Sequence, residues 1–365
     1  SWNDRREREA ILLTSRYPEM SVDTAMITRN AEKVVGLCSG KGISVWGVTK
    51  GLSAHPAVAS AMLDGGCVGL ADSRVDNIRK LRLFGFRHPM MLLRIPMPGE
   101  MTDVAENVDC CLVSMPASVL MLDRACDEAG SEVGVIVMVD LGDLREGIWP
   151  DGVEEMADAL LQCRRTRCLG VGSNLGCLSG VLPSVTNLSL LVRIGGELSN
   201  LLGHPLEVVS GGATSSLSLV EDGTMPEGVN QLRVGEGILL GTDVTGNRVI
   251  PYLERDAIRI TAEVVEVRRK PSMPIGKTGA DAFGNTPVFQ DRGTRRRAIV
   301  AMGRQDVRPE GLTPIDGGLE IIGASSDHLT LDAEDFEGPL NPGDTISFAA
   351  DYGAMLAAAT SPYVR

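Results

Sequence analysis

Ile43-Ser-Val-Trp-Gly-Val-Thr-Lys50-Gly51 is the stretch from which the fold is read. The run is apolar and short, the pattern of a buried strand, and it closes on one lysine and a glycine. A buried strand that ends in this way puts an amine at the mouth of a fold. Desolvation there lowers the amine's pKa and makes it a nucleophile toward aldehydes. The plainer reading is a strand-end lysine pointing into water, as most lysines do. The remainder of the chain separates the two.

Working outward, short apolar runs alternate with amphipathic segments over the first two-thirds. The predicted strands are Glu19–Val22, Ile43–Val48, Cys67–Ala71, Pro89–Ile95, Cys110–Ser114, Val133–Val139, Cys168–Gly172 and Leu206–Ser210, with a ninth at Gln231–Val234. Helical patterns cover Thr24–Cys38, behind the capping residue Asp23, and also Ser73–Phe84 and Val153–Gln162. A strand every ~20–40 residues is the rhythm of βα units and a parallel sheet. Eight or so units predict an α/β protein built on a closed (β/α)8 TIM-like barrel. An open dinucleotide-binding sheet needs a glycine fingerprint after its first strand, and the glycine-rich stretches here come late.

The pattern changes after about residue 250. Ala257–Val267 alternates polar and apolar residues, and Arg297–Met302, Leu319–Ile322, His328–Leu331 and Thr345–Ala349 are short β-like runs between Pro, Gly and Asp turns. Lys270–Phe289 reads as a long surface loop. The reading is therefore a barrel domain at residues 1–250 and a smaller C-terminal antiparallel β domain at 251–365, with the first ~15 residues able to associate with the latter.

Composition narrows the function. The 365 residues carry a formal net charge of -13, which argues against nucleic acid as a partner because phosphate neutralisation needs a basic face. No apolar stretch approaches the ~18 residues of a membrane span, and Ser1–Glu7 shows no apolar signal core. Eight scattered cysteines without a C-x-x-C pair suit a reducing cytoplasm. Four histidines, His55, His88, His204 and His328, show no ligand spacing, so no metal is expected.

Residues just past barrel strand ends face the active site. Those positions read Thr49-Lys50, Asp140-Leu-Gly-Asp-Leu-Arg145-Glu-Gly147, Gly172-Ser173-Asn174, Ser210-Gly211-Gly212-Ala-Thr-Ser215-Ser216 and Arg233-Val-Gly235-Glu236-Gly237. The Ser210 stretch can turn several backbone N–H groups toward one anion, and Gly235 and Glu236 can add amides to it. The plainer alternative is a glycine turn. Arg145 and Arg233 are cations where a barrel prefers Val or Ile; ion pairs to Asp140, Asp143 or Glu236 would also explain them. A strand-end lysine, a phosphate cradle and two arginines together suggest pyridoxal 5'-phosphate.

Several motifs in order then carry a resemblance. Gly47-Val-Thr-Lys50-Gly51, Asp140–Gly147, Gly170-x-Gly-Ser-Asn174-Leu-Gly-Cys177, Ser210–Thr214, Gly303-Arg-Gln-Asp306, Ser325-Ser-Asp-His328 and Tyr352-Gly-Ala resemble the amino-acid racemases of the alanine racemase fold, in their ornithine racemase-like branch. The resemblance runs over nearly the whole chain. It implies a pyridoxal phosphate barrel with a C-terminal β domain, working as a head-to-tail homodimer in which each site borrows residues from the partner's β domain. It implies that Lys50 carries the cofactor covalently and that Arg145 lies beside its phenolic oxygen. Arg233 would face the pyridine nitrogen, Tyr352 would bond the phosphate, and Ser210, Gly212 and Gly235 fall in the phosphate loops.

The chain departs from that pattern where alanine racemases place the tyrosine that serves the second face of Cα. The segment here is Ala301-Met-Gly-Arg304-Gln-Asp306, so Arg304 stands in its place. His328 is the preferred replacement base, with Asp327 and Asp306 as the other candidates; a histidine bonding in a β-turn is the plainer reading. Met138 falls where the family has a modified lysine, so no carbamate is expected. The expected activity is racemisation of a free amino acid of ornithine, lysine or alanine type. Arg304 is placed to meet the substrate carboxylate, and Asp306 and Asp327 an ω-amino group. The competing readings are a non-catalytic pyridoxal phosphate carrier and an aldolase or decarboxylase on the same barrel.

Overall fold

The computed structural model describes residues 15–365, so the readings placed on residues 1–14 lie outside the described part. The chain divides into two compact units, Thr24–Arg255 and a second unit formed by residues 15–23 with Asp256–Arg365.

The earliest described strand, β1 (Glu19–Val22), corrects the sequence reading. It is not a barrel strand. It pairs antiparallel with the second unit's sheet, Glu19 opposite Thr261 and Val22 opposite Ile258. Its polar–apolar alternation, Glu-Met-Ser-Val, is the mark of a one-sided antiparallel strand.

The Thr24–Arg255 unit is a closed parallel barrel of β2 (Ser44–Val48), β3 (Gly69–Asp72), β4 (Met90–Leu92), β5 (Cys110–Val113), β6 (Val133–Met138), β7 (Thr166–Gly172), β8 (Val208–Ser210) and β9 (Gln231–Val234). β9 closes on β2 through pairs such as Trp46 with Arg233. Every residue of β3, β4 and β5 is buried, as expected of strands covered on both faces. Val48, Ala71, Met91, Cys110, Leu112, Ile136 and Met138 form one packed cluster with half-buried Trp46, Leu93 and Leu169. These positions recur at i, i+2 on successive strands, so they share one face and fill the barrel. At Gly170 a Cβ would lie 1.8 Å from the Val208 carbonyl oxygen, so only glycine lets β7 and β8 approach. A small ribbon, β10 (Thr242–Asp243) and β11 (Arg248–Val249), follows the barrel.

The second unit is built on β12 (Ile258–Pro271). With it pack β13 (Thr294–Val300), β14 (Leu312–Pro314), β15 (Glu320–Ala324), β16 (Leu329–Asp332) and β17 (Thr345–Ala350), in the order β14-β17-β12-β13-β16-β15. The first part of β12 pairs with β1 and β17, the second with β13, and a register shift between Val264 and Glu266 divides them. The bulge turns the long strand so that both halves fold over one core. That core alternates along the strands: Ile260, Ala262, Val264, Ala298, Val300, Leu329, Leu331, Ile346 and Phe348.

Candidate active site

Lys50 opens a short 3-10 turn, Lys50–Leu52, directly after β2. The Thr49 carbonyl accepts both Leu52 N–H at 3.1 Å and Ala54 N–H at 3.2 Å. Closing this turn puts Ser53 and Ala54 in the left-handed region, at φ 48° and 51°. For residues with a Cβ that costs on the order of 1 kcal/mol each, so strain sits directly behind the lysine. Burial lowers the Lys50 pKa; Arg145 and Arg233 push the same way, while Cys177 and Asp72 oppose them. Lowered basicity is what a carbonyl-trapping amine needs near neutral pH.

Arg233 lies within β9 at 3% exposure, and its Nη2 donates to the Ser173 carbonyl at 2.6 Å. Burial brings its pKa down to about 10, helped by Arg145 and opposed by Cys177 and Glu146, which leaves it a cation at neutral pH. Its Nε is buried without a partner. The Ser210 hydroxyl at the end of β8 is likewise fully buried with no hydrogen bond. Two orphaned donors at neighbouring strands are costly in a finished core and are the signature of a site awaiting an acceptor. Next to them Gly212 has φ +111°, and a Cβ there would meet Ser216 Oγ at 2.7 Å, so the backbone is left bare. Ser216 Oγ donates to the Gly211 carbonyl at 2.7 Å, which fixes the turn. Gly235 precedes the short helix Glu236–Leu240, and Gly237 N–H donates to Thr214 Oγ1 at 3.1 Å, tying the two glycine loops together. The Glu236 carboxylate is engaged by Thr242 Oγ1 at 2.7 Å and Val244 N–H at 2.9 Å, so what it can offer an anion is its backbone. This donor set fits a phosphate monoester bearing a cationic neighbour.

The loops after β6 and β7 are laced together. Arg145 Nη2 donates to Glu146 Oε1 at 2.7 Å, which also accepts from Asn174 Nδ2. Arg145 is thus paired with its sequence neighbour and not with Asp140 or Asp143. Asp140 Oδ1 instead caps its own loop through Gly142 N–H at 2.8 Å and Leu144 N–H at 3.1 Å. Asp143 reaches the other loop, accepting from Leu178 N–H at 3.0 Å and Ser179 N–H at 3.1 Å.

In the second unit, Arg304, Asp306, Asp327 and His328 come together on two adjoining loops, since Arg304 N–H donates to the Ser325 carbonyl and Gln305 N–H to that of Ser326, both at 3.0 Å. Arg304 Nη2 donates to Glu310 at 2.5 Å, and its guanidinium lies 4.9 Å from the centroid of the Phe283 ring. Asp306 is buried and accepts from Gly303 N–H at 2.8 Å; burial raises its pKa, with Asp327 adding to the rise. Asp327 accepts from Gln305 Nε2 at 2.6 Å. His328 is exposed in a turn whose geometry comes from Ser325 Oγ, 3.0 Å from His328 N. Tyr352 begins the helix Tyr352–Thr360, capped by Asp351 through Ala354 N–H at 2.8 Å.

Two residues that act electrostatically on Lys50 were not among the sequence-predicted candidates. Asp72 is a buried carboxylate at the end of β3, and Cys177 follows the Ser173-Asn174 strand end. The available signal for Asp72 was a charged residue closing an otherwise apolar strand. Among the described residues no group of three His, Cys, Asp or Glu is placed to hold a metal ion, and no helix is long and apolar enough to cross a membrane.

Lysine racemase from Thermotoga maritima is 42% identical over 349 residues, covering 96% of this chain and 98% of that protein. Ornithine racemase from Acetoanaerobium sticklandii is 38% identical over 350 residues, covering 96% and 99%. Among solved structures, an alanine racemase from E. faecalis superposes with a TM-score of 0.69 at 16% identity, covering 96% of this chain and 97% of that one. A D-threonine aldolase from Filomicrobium marinum gives 0.72 at 18%, covering 95% and 89%. At such identities these two structures speak to the fold alone. Residues 22–243 match the family described as Alanine racemase, N-terminal domain, and the chain belongs to that family.

Proposed function

We propose that this amino-acid racemase inverts a free basic amino acid of the lysine or ornithine class with the help of pyridoxal 5'-phosphate. The observation that carries the reading is the pairing, at one barrel mouth, of a lysine whose basicity burial has lowered with orphaned donors at Ser210 and Arg233. Lys50 would hold the cofactor's aldehyde carbon. Ser210, Gly211, Gly212, Gly235 and Glu236 would take the phosphate, and Arg233, Arg145 and Asn174 the ring. When bound, the cofactor supplies an electron sink that acidifies Cα–H. Arg233 stays cationic and keeps its protons, so it limits the depth of that sink and favours return of the proton to Cα.

Proton transfer is needed on both faces of Cα. Lys50 serves one. For the other the reading takes His328, with Asp327 beside it and Arg304 on the substrate carboxylate, offered by the second unit of another copy in a head-to-tail homodimer. Asp306 and Asp327 supply the negative charge that an ω-ammonium group seeks. The compartment in this reading is the cytoplasm.

The test follows circular dichroism and Cα deuteration on single enantiomers of lysine, ornithine and alanine in deuterium oxide. The expected result is loss of optical activity from either enantiomer, fastest for the basic amino acids, by a protein whose visible absorbance band borohydride abolishes. A colourless protein that takes up no cofactor, or a coloured one that leaves every enantiomer unchanged, overturns the reading.

A further inference from the structure

We propose that Asp72, acting through Thr49, is a positioning residue that fixes Lys50 for its work at Cα. The inference rests on the racemase reading above and deepens it. Asp72 is 1% exposed, and a buried carboxylate costs several kcal/mol unless its oxygens are matched. Both are. Oδ2 accepts from Thr49 Oγ1 at 2.8 Å, and Oδ1 accepts from Arg74 N–H at 3.0 Å and Asn77 Nδ2 at 2.9 Å. Burial raises the Asp72 pKa, and the donors from Asn77, Thr49 and Arg74 oppose that rise by stabilising the ionised form, which can only accept.

The clamp joins two elements. Its Oδ1 side is held by the turn leading into the helix Val75–Leu83. Its Oδ2 side reaches the neighbouring strand, where Val48 pairs with Ala71, and grips the residue just before Lys50. Thr49 is then fixed at three points: its N–H donates to the Ala71 carbonyl at 2.9 Å, its carbonyl closes the turn to Leu52 and Ala54, and its hydroxyl meets Asp72. That turn carries the two left-handed residues Ser53 and Ala54, so it needs an external hold. A lysine on a relaxed turn would lose the placement that proton transfer at one face requires. The groups that act electrostatically on Lys50 are Asp72 and Cys177, which favour its charged form, and Arg145 and Arg233, which oppose it. Asp72 thus bears on the lysine twice, by geometry and by charge, and the two can be separated.

Thr49→Val removes the hydroxyl and keeps the carboxylate; Asp72→Asn keeps the shape and removes the charge; Thr49→Ser restores the hydroxyl. Each protein is stripped of cofactor and mixed with pyridoxal phosphate across a pH series, recording the rate at which the borohydride-sensitive band forms; kcat and KM are measured separately with lysine. Thr49→Val is expected to lower kcat about tenfold with KM within about twofold and an unshifted capture profile, and Thr49→Ser to recover most of the loss. Asp72→Asn is expected to lower kcat as well and to move the capture profile to lower pH by about one unit, because the ammonium loses a stabilising charge. Variants that melt earlier yet keep wild-type kcat and capture would mark a purely structural anchor and overturn the proposal, as would a serine no better than valine. Should Asp72→Asn fail to fold, the Thr49 pair decides. A wild-type protein that forms no band removes the racemase reading itself, a result distinct from unaffected variants.

Discussion

Arg233 on β9 donates to the carbonyl of Ser173 at the end of β7, passing β8 to do so. The cation is thereby held out of water by a neutral backbone partner. Its pKa near 10 keeps it protonated throughout the neutral range. In the proposed reading this puts a permanent positive charge where a proton-sharing acid would make a deeper electron sink.

Arg233→Glu is expected to lower racemisation by about a hundredfold, the usual scale for losing a preorganised electrostatic group, and to raise the share of keto-acid product. Product analysis by enzyme-coupled assay checks it. An Arg233→Glu protein that folds, binds cofactor and yields no more keto acid than wild type would show that this charge does not set reaction specificity.

Ser210→Ala separates cofactor binding from stability. The Ser210 hydroxyl makes no hydrogen bond within the protein, so its removal takes nothing from the fold. The cofactor-free variant should be at least as stable as wild type, because a buried hydroxyl without a partner costs about 1–3 kcal/mol that alanine removes. A hydrogen bond to a charged phosphate is worth about 1.5–3 kcal/mol, so affinity for pyridoxal phosphate should fall at least tenfold. Titration followed by absorbance gives the Kd, and an unchanged value would take Ser210 out of the phosphate cradle.

The fold was legible in the sequence where strands were buried on both faces. Cys110-Cys-Leu-Val113 and Val133–Met138 announce themselves by unbroken apolar character. Glu19–Val22 misled because a four-residue strand carries no partner information; its alternation was the correct clue and its place in the chain just ahead of the barrel the wrong one. The candidate site was read from strand-end residues. Asp72 was not, because its importance comes from the register that sets it beside Thr49, and register is a property of pairing between strands. The pairing of Arg145 with Glu146 was hidden for a similar reason: acids at 140, 143 and 146 are equivalent in sequence, and loop geometry turns two of them onto backbone amides.

Two glycine substitutions should act in opposite directions. Gly170→Ala sets a methyl 1.8 Å from the Val208 carbonyl oxygen, a backbone atom that no rotamer change can move. The loss should be about 3 kcal/mol, at the upper end of overpacking costs. Gly196 is an exposed residue of the helix Val185–Leu202 with nothing within 4 Å of where a methyl would stand, so Gly196→Ala should add about 0.5–1 kcal/mol. Denaturant unfolding compares the two. Equal and small effects would mean that β7 and β8 do not approach so closely.

His328→Ala bears on the second face of Cα. If His328 is the partner to Lys50, removing it should slow net inversion in both directions by about 10²–10⁴-fold, because each direction needs one proton taken and one given. Exchange of the Cα proton with retention should survive for the enantiomer that presents its proton to Lys50. Proton NMR in deuterium oxide, run from each enantiomer, separates exchange from inversion. The turn that carries His328 is held by Ser325 Oγ and backbone groups, so the substitution should leave Asp327 and Arg304 in place. Wild-type rates from both enantiomers would transfer the role to Asp327 or Asp306. Of these, Asp306 is the buried one whose carboxyl is already held above its ordinary range, the direction a proton-carrying acid requires.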